Sequence, residues 1–468
     1  MVFNYLCNKG GVAALLIFCI FVWVPDNHAK SQIISHDDLD IKIGQAIFEK
    51  IWVFAPSSTK SSDGLGPLYN ARSCNQCHGL SIKNKSSLPS SLVIHLSIEP
   101  SLDMRYQDTE KNLKELGFIP EPSYGKQLQT FAYPGAKAEA EISVSYEKVL
   151  AIFADGDQVS LSKPNYTIDS YGYGDFHPDY RWSPRIAPRM MGLNWLEAIP
   201  VETLLLNSDT EDSNNDGISG KINWVWDSTS QSTQAGRFGW KAAKANLEQQ
   251  NLAALSTDIG VSSWLFPKAE GDCTEAQAHC SQLAKATETY VSSSAHGDSP
   301  NQLTVEASKE MTDLLLRFTA SLSPDQRLSP NNKDLSKLEN GQQLFNKIGC
   351  HSCHINQYDN VINTYSNDRK RTTIYPYTDL LLHDMGTSLA DNRKEFAASG
   401  NEWRTSPLWG ISKYLQESPN PHFLHDGRAK SVMEAILWHG GEAESSKQAF
   451  MNLPKEQRTS LINFVESL

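Results

Sequence analysis

Two stretches far apart in the chain repeat one spacing of apolar and polar positions. Gly44-Gln-Ala-Ile-Phe48-Glu-Lys50 and Gly341-Gln-Gln-Leu-Phe345-Asn-Lys347 set apolar side chains at helical intervals, so each predicts a helix. A second helical pattern also occurs twice, in Leu315-Leu-Arg-Phe318-Thr-Ala-Ser-Leu322 and in Leu461-Ile-Asn-Phe464-Val-Glu-Ser-Leu468. Ser431-Val-Met-Glu434 has the spacing of a capping box, which satisfies N–H groups at a helix start. The helix it opens carries Val432, Ala435, Ile436 and His439 on one face. Ser91 to Ile98 and Glu141 to Phe153 read as strands among many Gly, Pro and Tyr residues. These patterns predict a mainly α fold of two helical domains, 30–325 and 334–468. Each is opened and closed by one of the repeated helices. An insertion of short strands and long loops, within Leu92 to Ala295, interrupts the first. Ser323 to Lys333, with two prolines and two asparagines, separates the two.

One run approaches the length of a membrane span. Gly11 to Val24 is apolar, behind Lys9 and ahead of Pro25 and Ala29. At fourteen residues it suits a signal core better than a span, and it predicts a cleaved export signal over residues 1–29. An uncleaved N-terminal anchor is the alternative. The mature chain is expected in the periplasm, with no stable membrane insertion. The 42 Lys and Arg against 54 Asp and Glu leave a net charge of −12. That balance argues against nucleic acid or an anionic membrane as partner, since both call for clustered cations.

Export changes how the cysteines read. Of eight, Cys7 and Cys19 fall in the leader, and the others form three close pairs. Cys273 and Cys280 predict a small disulfide loop, contributing about 2.5 kcal/mol in the loop-entropy view. Cys74-Asn-Gln-Cys77-His78 and Cys350-His-Ser-Cys353-His354 both match the c-type haem attachment pattern. In that pattern two thiols bind the two vinyl groups of one haem, and the next residue sets an imidazole on the iron. A zinc site on four cysteines does not need a His after each pair, and an oxidising compartment disfavours the free thiolates of a redox pair. The sequence therefore predicts two covalently bound haem c groups, with His78 and His354 as iron ligands. The helical units become cytochrome c-like.

The sixth ligands are less determined. On the second haem His439 competes with Met385 and with Met433, thioether sulfur being the other common haem ligand. On the first, Met190, Met191 and His177 compete with an iron left open to peroxide, while His95 reads as a structural strand residue. Arg72, Arg404 and Arg428 are candidates to pair with haem propionates. Trp409 and Trp438 are candidates for an electron path, against ordinary core packing. Asp212, Asn214 and Asp216, followed by Gly217, match the front half of a calcium loop. Asn223 stands where that loop usually has a bidentate Glu, so a plain Asx-rich turn competes.

Several long strings carry a resemblance. Gly66-Pro-Leu-Tyr-Asn-Ala-Arg-Ser-Cys74, Pro188 to Pro200, Gly236-Arg-Phe-Gly-Trp240 and Leu382-His-Asp-Met-Gly386 are four of them. Glu402 to Gly410 and Phe423-Leu-His-Asp-Gly-Arg428 to Glu442 are two more. Over nearly all of the mature chain the sequence resembles the di-haem oxidoreductase family of peroxidase-like (thiol oxidoreductase-like) proteins, relatives of bacterial di-haem cytochrome c peroxidases. The resemblance implies two cytochrome c-like domains, one haem receiving electrons from a redox-protein donor and the other reducing a small oxidant such as hydrogen peroxide. It also implies a sixth ligand on the helix after His425-Asp-Gly, at the place where this chain has His439 and the peroxidases have Met. That favours His439 over Met385, and bis-His ligation generally lowers a haem potential. The distal acids of the peroxidases have no clear counterpart; Glu197 is the candidate general acid. An electron carrier with both haems six-coordinate, or an oxidase acting on a protein or metal, are the rival functions.

Overall fold

The repeated stretches form the helices that their spacing predicts. Asp38–Glu49 buries Gly44 and Phe48 and crosses Lys309–Ser321. Asn332–Lys347 crosses Lys455–Glu466 in the same manner. A glycine sits at each crossing because the backbones touch there. A Cβ on Gly44 would overlap the Leu314 carbonyl, and one on Gly341 would overlap that of Ser460. Beside each glycine two aromatic rings fill the next turn. Phe48 meets Phe318 at 5.2 Å between centroids, and Phe345 meets Phe464 at 5.5 Å. The sequence repeat is thus a repeat of packing.

A computed structural model describes residues 38–59, 61–79, 91–99, 108–280, 282–284, 305–324, 332–365 and 369–468. The leader expected over 1–29, and most of the linker at 323–333, lie outside them. Among the described residues no helix is long and apolar enough to cross a membrane.

The mainly α expectation is corrected: helix accounts for 32% of the chain and strand for 21%, in several small sheets. Two helical domains of cytochrome c type do not describe it. The physical reason lies in runs with a period of two. Glu141–Ile152 pairs antiparallel with Gln158–Asp169 along its whole length, and exposed and half-buried positions alternate on it. The strands are therefore long here rather than short. Val93–Ile98 lies between Gln127–Leu128 and Tyr180–Arg185 in a three-stranded sheet. The second half also has hairpins, pairing Tyr358–Ile362 with Arg371–Ile374 and Leu382–Asp384 with Glu402–Arg404.

The inserted ribbon packs on the second repeat rather than the first. Phe153 and Leu161 join the core formed by Leu344, Phe345, Trp438, Phe450 and Phe464. Arg458 reaches back to the ribbon's turn, 2.8 Å from Asp155 and 3.0 Å from Asp157. A second reciprocal contact locks the halves together. Gly192 donates its N–H to Leu322 O at 2.6 Å, and Gly410 donates to Leu468 O at 2.9 Å. Both glycines have φ near the left-handed region, +71° and +73°. A Cβ on Gly192 would strike the Trp409 ring, and one on Gly410 would lie 2.6 Å from Met191 Cε. Each half thus seats a side chain on the other's glycine.

Candidate functional site

Both haem-type motifs form a single short turn behind a helix crossing. Cys74–His78 is a five-residue helix, and Cys350–Ser352 is one turn of 3-10 helix followed by Cys353 and His354. The crossing's aromatic ring leans on each imidazole, Phe48 at 6.4 Å from His78 and Phe345 at 6.3 Å from His354. His78 Nδ1 donates to Pro188 O at 3.1 Å, and His354 Nδ1 donates to Tyr377 O at 2.9 Å. A carbonyl only accepts, so each ring carries its proton on Nδ1 and presents the Nε2 lone pair. Burial pushes both imidazoles down to about 4, so both are neutral at pH 7, the form that binds a metal.

One cavity of about 1260 Å³ joins the two motifs. Cys74, Cys77 and His78 line it together with Cys350, Cys353 and His354. None of these four thiols is in a disulfide, whereas Cys273 and Cys280 are bonded to each other as expected. Burial pushes the thiols of Cys74, Cys77 and Cys350 up to about 12.

The helix at Ser431 forms as Val432–Trp438, with Ser431 Oγ accepting the Glu434 N–H at 3.1 Å. The Glu434 carboxylate accepts from Lys430 N at 3.2 Å, so the box closes one residue earlier than its pattern. His439 caps the far end and donates Nδ1 to Ala435 O at 2.6 Å, again leaving Nε2 free. It lines the cavity and is near enough to His354 that a proton on either ring would disfavour one on the other. Met385 lines the cavity as well; Met433 does not. Around the first motif Met190, Met191 and His95 line it, and His177 lies off it.

Other candidates are placed differently. Glu197 is not on the cavity wall. Its Oε2 accepts the Leu247 N–H at 2.7 Å, and both of its oxygens accept from Tyr365 Oη at 3.0 and 3.1 Å. It closes the start of Leu247–Ala254, and burial pushes its pKa up. In the calcium-like loop, Asp212 accepts the N–H groups of Asp216 and Gly217, and Asp216 accepts that of Ile218. Those oxygens serve the turn itself. Of the three arginines only Arg404 lines the cavity, donating to Gly239 O at 3.0 Å and Thr405 O at 2.9 Å. Arg428 pairs with Asp426 at 2.8 Å, and Arg72 donates to Trp52 O at 3.0 Å. Trp409 lines the cavity, while Trp438 is buried in the second core.

Sequence reasoning missed three groups. Arg189 lines the cavity with Nη2 on Pro407 O at 2.9 Å, and among the described residues its buried Nη1 and the Nε1 of Trp409 have no hydrogen-bond partner. Buried donors facing a cavity suit the carboxylates of a haem. Asp258 lines the cavity beside Cys74 and Cys77, and burial pushes its carboxyl up to about 6. Its Oδ1 accepts from Gln127 Nε2 at 2.7 Å. Lastly, His383 is clamped between two carboxylates, Nε2 to Asp379 at 2.8 Å and Nδ1 to Glu442 at 2.6 Å. Its Nδ1 is 3.7 Å from Cys353 Sγ, so Cys353, Asp379 and His383 stand as a metal-like cluster. Burial lowers the His383 pKa, but the carboxylates on its two ring nitrogens outweigh it and raise the pKa well above its ordinary value, favouring the imidazolium.

The neutral imidazoles, free thiols and unpaired donors around one cavity fit two haems. The family described as "Di-haem oxidoreductase, putative peroxidase" matches residues 23–468. The chain belongs to this family. Among curated proteins none matches. A solved structure of Kuenenia stuttgartiensis hydrazine synthase, pressurised with 20 bar xenon, is similar at 16% identity. That match covers 35% of this chain and 57% of that chain, with a TM-score of 0.24. The family description names two haems and an oxidoreductase. Covalent attachment and the division of labour between the haems are questions for the chain's own residues.

Proposed function

We propose that this di-haem oxidoreductase is an exported, periplasmic c-type protein that reduces a peroxide with electrons from a redox-protein donor. The observation that carries the reading is the one cavity walled by both Cys-x-x-Cys-His turns, each imidazole locked by a backbone carbonyl with Nε2 free. Cys74 and Cys77 would hold one haem and Cys350 and Cys353 the other, through thioethers. When bound, the irons supply electron transfer and a coordination position for the oxidant. Each hydrogen peroxide takes up two electrons and two protons and leaves as two waters.

The residues assign different work to the two ends. His354 and His439 both leave Nε2 free and line the cavity, so together they would hold the second haem, which would serve as the electron relay. At the first motif Asp258 has one oxygen held by Gln127, and its raised pKa lets it carry a proton near neutral pH. It is better placed than Glu197 to deliver that proton, because Glu197 faces Tyr365 and Leu247. Asp258→Asn is expected to lower peroxide turnover on the order of 10²-fold or more while leaving both haems attached. Turnover unchanged in that variant would remove Asp258 from the role. The electron-carrier reading keeps one observation in its favour: Met191, at the inter-half contact, lines the same cavity. A high-spin ferric signal in the oxidised holoprotein supports peroxide chemistry, and two low-spin signals support transfer alone.

A further inference from the structure

A second polar centre in the cavity wall is not used by the chemistry above. His95, on Val93–Ile98, lines the cavity, and among the described residues no hydrogen bond holds its ring. Burial and the neighbouring cations Arg185 and Arg393 push its pKa well down, so it is a neutral donor and acceptor. Lys244 lines the same wall, and its Nζ has only the adjacent Ala243 carbonyl at 3.4 Å. Arg185 reaches Glu395 through Nη1 at 2.9 Å, and its buried Nη2 lies 3.6 Å from Asp391 Oδ2, too far for a hydrogen bond, with no hydrogen-bond partner among the described residues.

The charge behind these three does not balance. Lys241 binds Asp391 at 2.9 Å, and Arg393 binds Glu395 at 2.9 Å. With Arg185 and Lys244 there are four cations and two carboxylates, an excess of two positive charges. The nearby pairs Lys126–Asp272 and Arg428–Asp426 are each neutral, and Asp258, with its carboxyl pushed up to about 6, offsets one of the two charges once it ionises. A buried excess of this size is costly unless an anion enters. The cluster's place is also defined. His95 stands opposite Gln127 in the sheet, and Gln127 Nε2 holds Asp258 beside Cys74 and Cys77. The excess therefore sits at the first-motif end of the cavity.

We propose that His95, Arg185 and Lys244 form a subsite for two carboxylates carried by one ligand. Arg185 Nη2 and Lys244 Nζ supply charged donors, and His95 supplies a neutral one. Two sources carry this chemistry: the paired propionates of the haem on Cys74 and Cys77, or a free dicarboxylate substrate. The first source rests on the two-haem reading; the second does not.

The test uses the holoprotein, with Lys244→Met as the variant. Removing Lys244 orphans nothing, since Glu395 keeps both arginines. Two quantities are measured: calorimetric binding of succinate, and the pH dependence of the first haem's midpoint potential. A free-substrate site gives saturable succinate binding that weakens about tenfold or more in Lys244→Met, with the potential curve unmoved. A propionate site gives no succinate heat, and the pH-dependent step of the potential shifts in the variant. If the variant leaves both succinate affinity and the potential curve as in the unmodified protein, the proposal is overturned. The Soret band of the same samples reports the haems separately, so failure of the subsite is distinguishable from failure of the two-haem reading.

Discussion

His383 offers the sharpest single perturbation of the second motif. The imidazolium bridges Asp379 and Glu442 at 2.8 and 2.6 Å, and none of the three side chains is more than 10% exposed. Glu442 lies three residues past His439 and also accepts from Ser219 N, Ser219 Oγ and Asp384 N. The clamp therefore ties the turn after His439 to the strand after Tyr377. His383→Leu keeps bulk but leaves two buried carboxylates facing each other without their cation. Breaking a buried ion pair from one side costs about 3–5 kcal/mol. The milder Glu442→Gln keeps an acceptor for Nδ1 and should cost about 1–2 kcal/mol. The assay is urea unfolding of the holoprotein followed by far-UV circular dichroism, reading the midpoint at constant slope. The pH dependence has a definite sign. The folded pKa of His383 is raised, so its contribution is complete below the ordinary value of about 6.5 and is lost as pH rises through the folded value. The gap between His383→Leu and the unmodified protein should narrow along that rise. A loss of less than about 0.5 kcal/mol, or a gap independent of pH, would refute the clamp.

Other outcomes follow from the same geometry. Gly341→Ala drives a Cβ into the Ser460 carbonyl, so it should cost about 1–3 kcal/mol in the same unfolding assay; a neutral result would mean that the helices do not touch there. His439→Ala should abolish the low-spin signal of the second haem, and an unchanged spectrum would assign its sixth position elsewhere. Glu197→Gln should retain peroxide turnover and lose about 1–2 kcal/mol of stability, because its oxygens serve Leu247 N and Tyr365. Asp258 carries a folded pKa raised to about 6, so its contribution to stability is present below about 4 and lost as pH rises through about 6. Asp258→Asn should flatten stability across that window, as read by unfolding at each pH.

The sequence shows most where a local spacing does all the work. Gly44 with Phe48, and Gly341 with Phe345, announce a close helix crossing because a missing Cβ and a large ring one turn apart are both visible in the string. The Cys-x-x-Cys-His turns are legible for the same reason. The mixed fold is less so. Glu141–Ile152 alternates and reads as a strand, but its partner carries Pro164 inside the polar run Ser162 to Asn165 and looks like a loop. A two-stranded ribbon has two free edges, so the missing N–H of Pro164 costs little opposite Tyr146. Glu197 illustrates the converse. Its position in a motif-like segment suggests chemistry, and only the fold brings Leu247 and Tyr365 onto its oxygens. The clamp on His383 was half hidden, since Asp379 lies four positions away but Glu442 lies 59, and the cations around His95 were hidden by distance, as with Arg393 and Leu96, 297 positions apart.

Covalent haem at both cysteine pairs underlies the proposed chemistry. Intact-mass analysis of the denatured protein, matured in a host able to attach haem, tests that most directly. It should weigh the processed polypeptide plus two haems, one lost with Cys74→Ala/Cys77→Ala and one with Cys350→Ala/Cys353→Ala. A polypeptide that carries no bound haem after denaturation would contradict it.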